Sequence, residues 1–180
     1  RDQTDFINRS YGGGEVVPSK VKGLNQVHPK IIRDTKVSVI IPTIGTKDTK
    51  TGIIMVSRAI ATLRAAETHI DFETIVVTTG ELDPIPGADQ QLVYTTTHFN
   101  FAEPITLGRT AANGEYLLIL NDDTTVADPG PITRLLEVGQ NSGVGITGAK
   151  LTYPDGRLQH VGMVMLPSGP THPWIAKSGN

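Results

Sequence analysis

The sequence contains no cysteine and no long apolar run. The lack of cysteine excludes a disulfide framework and a thiolate zinc site, and it permits a reducing compartment. No apolar stretch approaches the roughly 20 residues that a membrane-spanning helix needs, and the first residues do not resemble a signal peptide. The chain starts at Arg1 and not at methionine, so we expect a piece of a longer protein or a processed product.

Clusters of charge of one sign are also missing. The chain has 16 Lys and Arg residues against 18 Asp and Glu residues, for a formal net charge of -2. Neither sign forms the long runs that are typical of proteins bound to nucleic acid or anionic lipid, so we expect no nucleic-acid partner. At 180 residues, the chain suits one domain with a substantial core.

Motifs of three other protein classes are absent or poorly formed. No Gly-x-Gly-x-x-Gly pattern follows the first apolar strand, which argues against a dinucleotide-binding domain. No Gly-x-Ser-x-Gly occurs, so a hydrolase triad has little support. His98, His160 and His172 are too scattered for zinc-site spacing, and we interpret each as structural or solvated. Trp174, the only tryptophan, is interpreted as a packing residue and not as a sugar platform.

Residues 1–35 are polar and carry no sustained apolar period, so we interpret them as a linker or arm. Glycine and proline interrupt this segment repeatedly, at Gly12, Gly13, Gly14, Pro18, Gly23 and Pro29. The triple glycine could cradle a phosphate, but no strand precedes it and no helix pattern follows, which favours a flexible connection.

From residue 36 onward, strand and helix patterns alternate, and a hairpin closes the series. Apolar runs predict strands at residues 37–41, 74–77, 91–94, 116–120 and 144–149, of which 116–120 is the most apolar. Helical patterns lie at residues 51–67, between Glu103 and Asn113, and from Pro129 with Asp128 as its cap. A turn at residues 154–156 predicts the hairpin. The order predicts an α/β fold with a mostly parallel central sheet flanked by helices.

Ligands of open α/β sheets bind outside the carboxyl ends of the strands. The predicted strand ends carry Pro42, Thr43, Thr78, Thr79, Gly80, Asn121, Asp122 and Asp123. Two adjacent carboxylates repel each other unless a divalent cation neutralises both. Oxygen ligands suit Mg²⁺ or Mn²⁺, which keep positions open for substrate phosphates. In the alternative interpretation, the acidic pair merely forms an Asx-type turn and caps the next segment.

Several stretches also share an order and spacing that is known from one enzyme family. They are residues 37–43 (VSVIIPT), Phe99-Asn100-Phe101 with Leu107-Gly108, and residues 114–124 (GEYLLILNDDT), 148–156 and 159–162. Together they cover roughly residues 36–165 and resemble glycosyltransferase family 2. The rhamnosyltransferase-like members, which build bacterial surface polysaccharides, are the most similar.

The resemblance implies an inverting glycosyltransferase with a Rossmann-like nucleotide-diphospho-sugar transferase (GT-A type) fold, truncated at the C-terminus. Residues 36–180 would form the part that binds a nucleoside-diphosphate sugar. The implied donor-binding residues are Pro42, Thr43, Thr78, Gly80, Gly108 and Asp122. Asp123, together with Asp122, would hold Mn²⁺ or Mg²⁺ against the diphosphate.

The implied acceptor is a glycan or a lipid-linked acceptor, in bacterial polysaccharide or cell-wall biosynthesis. The catalytic base would lie beyond residue 180, so no catalytic residue is named. We expect a cytoplasmic location, where missing regions could hold the protein at the inner face of the membrane. The sequence does not identify the donor sugar, its base or the oligomeric state.

Two positions depart from the family pattern. Thr78 stands where the family commonly has an Asp that holds the nucleotide base, although Gly80 and Asp83 keep the surrounding pattern. Thr106 stands where the family has Asn before Leu-Gly. A non-catalytic scaffolding domain of the same fold is therefore a second hypothesis. A sugar nucleotidyltransferase is a third, but the glycine-rich basic loop of that class is poorly matched by residues 44–48.

Overall fold

A computed structural model describes residues 3–31, 35–96 and 100–172. Contacts divide the chain into two compact units. The sheet unit comprises residues 31–133, and the terminal unit comprises residues 1–30 and 134–180.

The structure contains helices and strands in both units. Their order is α1 (Gln3–Tyr11), β1 (Gly14–Pro18), β2 (Asn25–Pro29), β3 (Lys36–Thr43), α2 (Met55–Ala66), β4 (Asp71–Thr79), β5 (Gln90–Tyr94), α3 (Ala102–Ala111), β6 (Tyr116–Ile119), α4 (Pro131–Gly139), β7 (Leu151–Thr152), β8 (Leu158–His160), β9 (Val164–Leu166) and β10 (Gly169–Thr171).

The sheet unit is built on four parallel strands in the order β5-β4-β3-β6. This confirms the predicted α/β class with a parallel central sheet flanked by helices. The assignment to the GT-A type remains a prediction.

The two inner strands, β3 and β4, are buried on both faces. Ile40, Ile75 and Val77 form an apolar cluster on one face, against which residues of α3 pack. Successive residues of a strand point to opposite faces. Val39 and Ile41 therefore face the other side, and they are also fully buried. The near-continuous apolar runs of these strands are explained by this double cover.

Strand β6 is less buried than its sequence suggests. Leu117 and Ile119 are 42% and 52% exposed, whereas their neighbours in the strand are half-buried. The physical reason is its position, because β6 is the outermost strand beside β3 and lies at the edge of the sheet. The strand ends at Ile119, although the Leu120 amide still donates to the Ile40 carbonyl at 3.0 Å.

Helix α4 begins later than predicted and has a different cap. The sequence suggested a start at Pro129 with Asp128 as the cap, but the helix begins at Pro131. The Glu67 carboxylate accepts hydrogen bonds from the Thr133 amide and hydroxyl, both at 2.9 Å. A distant acid thus fills the capping role, which local sequence could not reveal.

The terminal unit contains regular structure within the segment that we interpreted as a linker. Helix α1 contacts strands β1 and β2, which pair as an antiparallel hairpin with Val16 opposite Val27. The helix was missed because Ile7 is its one buried residue, which leaves almost no apolar period to detect. The division into an arm and a donor-binding part is untested by these elements.

The strand predicted at residues 144–149 is wrong. These residues have no regular structure, and Ile146 is 93% exposed. Gly145 and Gly148 weaken the strand, and no neighbouring strand pairs with it among the described residues. The hairpin predicted at residues 154–156 is confirmed in a short form, as β7 and β8, and a second hairpin of β9 and β10 follows.

Candidate functional site

The sheet changes direction between β3 and β6. From β3 the chain moves outward through β4 to β5, and it then returns to the opposite side of β3 to form β6. In open α/β sheets, the crevice outside the strand ends at such a reversal is the usual ligand site. The loops that leave β3 and β6 therefore form the candidate site.

A short hydrogen bond joins these two loops. Thr43, the last residue of β3, donates from Oγ1 to Oδ2 of Asp122 across 2.5 Å. The Gly45 amide in turn donates to Thr43 Oγ1 at 3.0 Å, and the Thr43 side chain is buried. Since the threonine is fixed on both sides, it holds the Asp122 carboxylate in one orientation.

Asp122 and Asp123 occupy the middle of a turn after β6, which we call the acidic turn (residues 121–124). The Thr124 amide closes this turn by donating to the Asn121 carbonyl at 3.2 Å. Asp122 is half-buried, whereas Asp123 is exposed. Within the described ranges, no group of three His, Cys, Asp or Glu side chains forms a metal cluster. Any cation at this turn would therefore take most of its ligands from a substrate or from water.

The loop after β3 is held by Asp48. Its carboxylate accepts hydrogen bonds from the amides of Lys50 and Thr51, both at 2.9 Å, and from the Arg58 guanidinium of α2 at 2.9 Å. These amides, and then the guanidinium, lower the pKa of Asp48 to about 2. The loop beside the switch point is therefore ordered by an acid that stays ionised at all physiological pH values.

The loops after β3 and β4 also meet. Gly45 has a positive φ of 77°, which favours glycine, and a Cβ added to it would lie 2.8 Å from Cδ1 of Leu82. Gln91 of β5 fixes the second loop, because its amide donates to the Leu82 carbonyl and accepts from the Ile85 amide. The carboxyl edge of β3 and β4 therefore has a defined shape.

Pro42 and Gly80 lie at the carboxyl edge of the sheet, as the sequence suggested. Pro42 stands opposite Val77 in the ladder with β4, and β6 no longer pairs with β3 at this height. The missing proline amide therefore leaves no gap in the sheet. Gly80 is exposed and has a positive φ of 84°, which suits the turn that ends β4.

Thr78 and Gly108 are placed inside the sheet unit. Thr78 is 0% exposed, and its hydroxyl donates to the Gly80 carbonyl at 2.8 Å. Gly108 lies in α3, where an added Cβ would come within 2.5 Å of Ile40 Cγ2. Packing against the strand accounts for this glycine, and the structure does not bring it to Asp122. Donor binding by Thr78 and Gly108 stays a prediction.

Two known proteins are similar to this chain. It is 32% identical over 138 residues to the O-antigen biosynthesis protein RfbC of Myxococcus xanthus, which covers 72% of this chain and 10% of that protein. It is 30% identical over 139 residues to the uncharacterized protein y4gI of Sinorhizobium fredii, which covers 72% of this chain and 15% of that protein. No family model matches the chain. The chain is thus distantly related to an O-antigen biosynthesis protein and spans a small part of both relatives.

Sequence reasoning missed the loop that Asp48 holds. The pattern Asp48-Thr49-Lys50-Thr51 offered a signal, because an Asp side chain often accepts from amides two and three residues later. The bond to Arg58 had no such signal, since it depends on where α2 places the guanidinium. His98, Phe99 and Trp174 lie outside the described residues.

Two further findings concern the helices and a groove of the terminal unit. None of the helices in the described ranges combines the length and apolar character needed to cross a bilayer. In the terminal unit, a groove of about 510 Å³ is lined by Gln3, Phe6, Arg9, Gly23, Leu24, Asn25 and Val27. No residue that the sequence analysis assigned to donor binding lines this groove.

Proposed function

We propose that this chain is the donor-binding part of an inverting glycosyltransferase of the family 2 type, and that it acts in bacterial polysaccharide biosynthesis. The observation that carries the proposal is the bond between Thr43 and Asp122 at the switch point. It orients one acid of an adjacent pair at the sheet edge where ligands bind. The similarity to an O-antigen biosynthesis protein supports the same class of chemistry.

The acidic turn fits a hard divalent cation. Mg²⁺ is usually bound through one or two carboxylates together with substrate phosphates, and Asp122 and Asp123 offer this donor set. One Asp122 oxygen is engaged by Thr43, which leaves the other available. Asp123 is exposed and makes no side-chain hydrogen bond or ion pair within the described parts of the chain. Mn²⁺ or Mg²⁺ held there would stabilise negative charge on a leaving diphosphate.

The proposed reaction is a single displacement. An acceptor hydroxyl oxygen forms a bond to the anomeric carbon while the bond from that carbon to the diphosphate breaks, so the configuration inverts. The hydroxyl proton passes to a carboxylate base, which we place in the longer protein beyond residue 180. The described residues would bind and orient the donor through the acidic turn and the loop held by Asp48. We place this reaction in the cytoplasm.

Calorimetry with the purified chain tests donor binding. We expect at least one of uridine, thymidine and guanosine diphosphate to bind in the presence of Mn²⁺, and binding to need the cation. Asp123→Ala should weaken this binding by more than about 100-fold, because losing a residue that only supports a metal ligand already costs 10–100-fold. Asp128→Ala, an exposed acid of the same loop, is the control and should bind like wild type.

A non-catalytic scaffolding domain of the same fold is the second candidate. The burial of Thr78 favours it, because a hydroxyl spent on the Gly80 carbonyl cannot hold a nucleotide base as the family's Asp does. The scaffold predicts that none of the three diphosphates binds and that Asp123→Ala changes nothing. That result would refute the donor-binding proposal.

A further inference from the structure

Two histidines that are twelve residues apart in the sequence meet in the terminal unit. His160 ends β8, and His172 follows β10. Their Nδ1 atoms are 3.0 Å apart, and the ring centroids are 4.9 Å apart with an interplanar angle of 78°. Both residues are half-buried. This contact could not be predicted from sequence, because the second hairpin creates it by returning the chain toward β8.

The contact requires that only one of the two rings has a proton on Nδ1. One Nδ1 must carry a proton and donate it, while the other must present its lone pair. The Gly162 carbonyl oxygen lies 3.4 Å from the His172 Nδ1, so the proton is best placed on His172, where it has two acceptors. The His160 Nδ1 then directs its lone pair toward the same point. If the His172 proton moves to Nε2 of the same ring, both Nδ1 lone pairs point at one place and can bind a cation there.

We propose that His160 and His172 form a binding site for one imidazole-preferring divalent transition-metal ion, such as Zn²⁺, Ni²⁺, Cu²⁺ or Co²⁺. Metal–nitrogen bonds of about 2.0–2.1 Å span the observed separation at an angle of roughly 95°. That angle suits square or octahedral coordination. A tetrahedral ion needs nitrogens roughly 3.4 Å apart, which the rings reach by separating by a few tenths of an ångström.

This site differs in chemistry from the acidic turn. Imidazole nitrogen selects borderline transition metals, whereas carboxylate oxygen selects Mg²⁺ and Mn²⁺. No third His, Asp or Glu side chain completes a cluster here among the described residues, so the ion keeps positions open for water or a small ligand. The bound ion would tie the end of β8 to the chain that follows β10.

Titration of tag-free protein with Zn²⁺ alone tests the site. We expect one ion per chain, and we expect the His160→Ala and His172→Ala variants each to lose it. His69→Ala removes an exposed histidine and should bind Zn²⁺ like wild type. Asp123→Ala should also retain the ion, which separates this site from the proposed donor site.

Nitrogen NMR of the wild-type imidazoles gives a readout that does not depend on how the variants fold. We expect Zn²⁺ to shift the Nδ1 resonances of His160 and His172 together and to leave His69 unchanged. The proposal is overturned if no Zn²⁺ binds, if the two Nδ1 resonances do not move, or if folded His160→Ala protein binds Zn²⁺ as wild type does. In each case the pair is only a hydrogen bond between two hairpins.

Discussion

Thr43 connects the central sheet to the acidic turn through a hydrogen bond. Its hydroxyl accepts from the Gly45 amide and donates to Asp122, so one side chain connects the end of β3 to the loop after β6. The two residues are far apart in sequence, yet the parallel pairing of β3 and β6 places their strand ends side by side. The orientation of Asp122 is thus a consequence of sheet topology.

Thr43→Val removes this hydroxyl and keeps the β-branched shape that the strand favours. We expect nucleoside diphosphate and Mn²⁺ to bind about tenfold more weakly, because a residue that positions a metal ligand typically contributes 10–100-fold to metal affinity. Calorimetry on the variant measures this, with Thr110→Val as the control, because the exposed Thr110 hydroxyl donates to the Leu107 carbonyl of its own helix, α3. Unchanged affinity in a folded Thr43→Val protein would mean that Asp122 needs no such support.

Glu73 is a buried carboxylate of the sheet unit. Burial alone would raise its pKa, but hydrogen bonds from the Ser38 hydroxyl and from the Asn113 amide and side chain together lower it below the ordinary value of 4.5. Gln90 donates to the same carboxylate at 3.3 Å. A carboxylate with this many donors stabilises the folded state only while it is ionised.

At the scale of elements, two glycines allow close packing against β3: Gly108 for helix α3 and Gly114 for the segment before β6. Gly114, just before β6, lies against the backbone of β3, where an added Cβ would be 2.6 Å from the Ser38 nitrogen and 2.9 Å from the Lys36 carbonyl oxygen. Backbone cannot move aside as a side-chain end can. Gly108 has a similar role for α3, although its nearest neighbour is the Ile40 side chain.

We expect Gly114→Ala to destabilise the protein by about 1–3 kcal/mol, the range typical of overpacked sites. The matched control is Gly145→Ala, because Gly145 has open space around its Cα and no positive φ. Urea unfolding of both variants gives the comparison. Equal stability of the two would show that β6 does not approach β3 as closely as described.

Elements were predictable from sequence where one local pattern decided them. Strands β3 and β4 were predictable because burial on both faces requires a continuous apolar run. Helix α2 was predictable because its buried residues recur at helical spacing. The cap of α4 and the exposed face of β6 did not, since they depend on a distant acid and on position in the sheet. The failed strand at residues 144–149 shows that an apolar run without a partner forms no sheet.

The candidate site was likewise predictable only in part. The rule that ligands bind at the carboxyl ends of parallel strands allowed Thr43 and Asp122 to be assigned to one edge before their contact was known. The same rule also suggested Thr78, which the structure seals inside the sheet. The direction of a side chain at a strand end depends on the exact end point, which sequence patterns leave uncertain by a residue or two.

At the scale of the whole molecule, buried acids make stability depend on pH. The Glu67 and Glu73 carboxylates both have pKa values lowered in the folded state, because hydrogen bonds outweigh the opposite effect of burial. The unfolded state therefore binds protons more readily than the folded state. Their contribution is complete above the unfolded value of about 4.5, and it is lost as the pH falls through the folded values.

We expect the free energy of unfolding to be level near neutral pH and to fall below about pH 4.5. Glu73→Gln should lower stability at pH 7 by about 1–3 kcal/mol, since it leaves buried donors without a charged acceptor. The variant should also lose less stability on acidification than wild type. Urea titrations across this pH range measure both effects. A variant that declines with acid as steeply as wild type would show that Glu73 carries no such linkage.

The central claim is that the acidic turn holds a divalent cation against the diphosphate of the donor. The positions of the cation and the diphosphate test it. An anomalous difference map from a crystal soaked with Mn²⁺ and a nucleoside diphosphate locates the ion directly. We expect one peak within bonding distance of the Asp123 carboxylate and of a diphosphate oxygen, beside the Asp122 side chain that Thr43 holds. Density for the diphosphate elsewhere, or a manganese peak that does not touch the turn, would contradict the account.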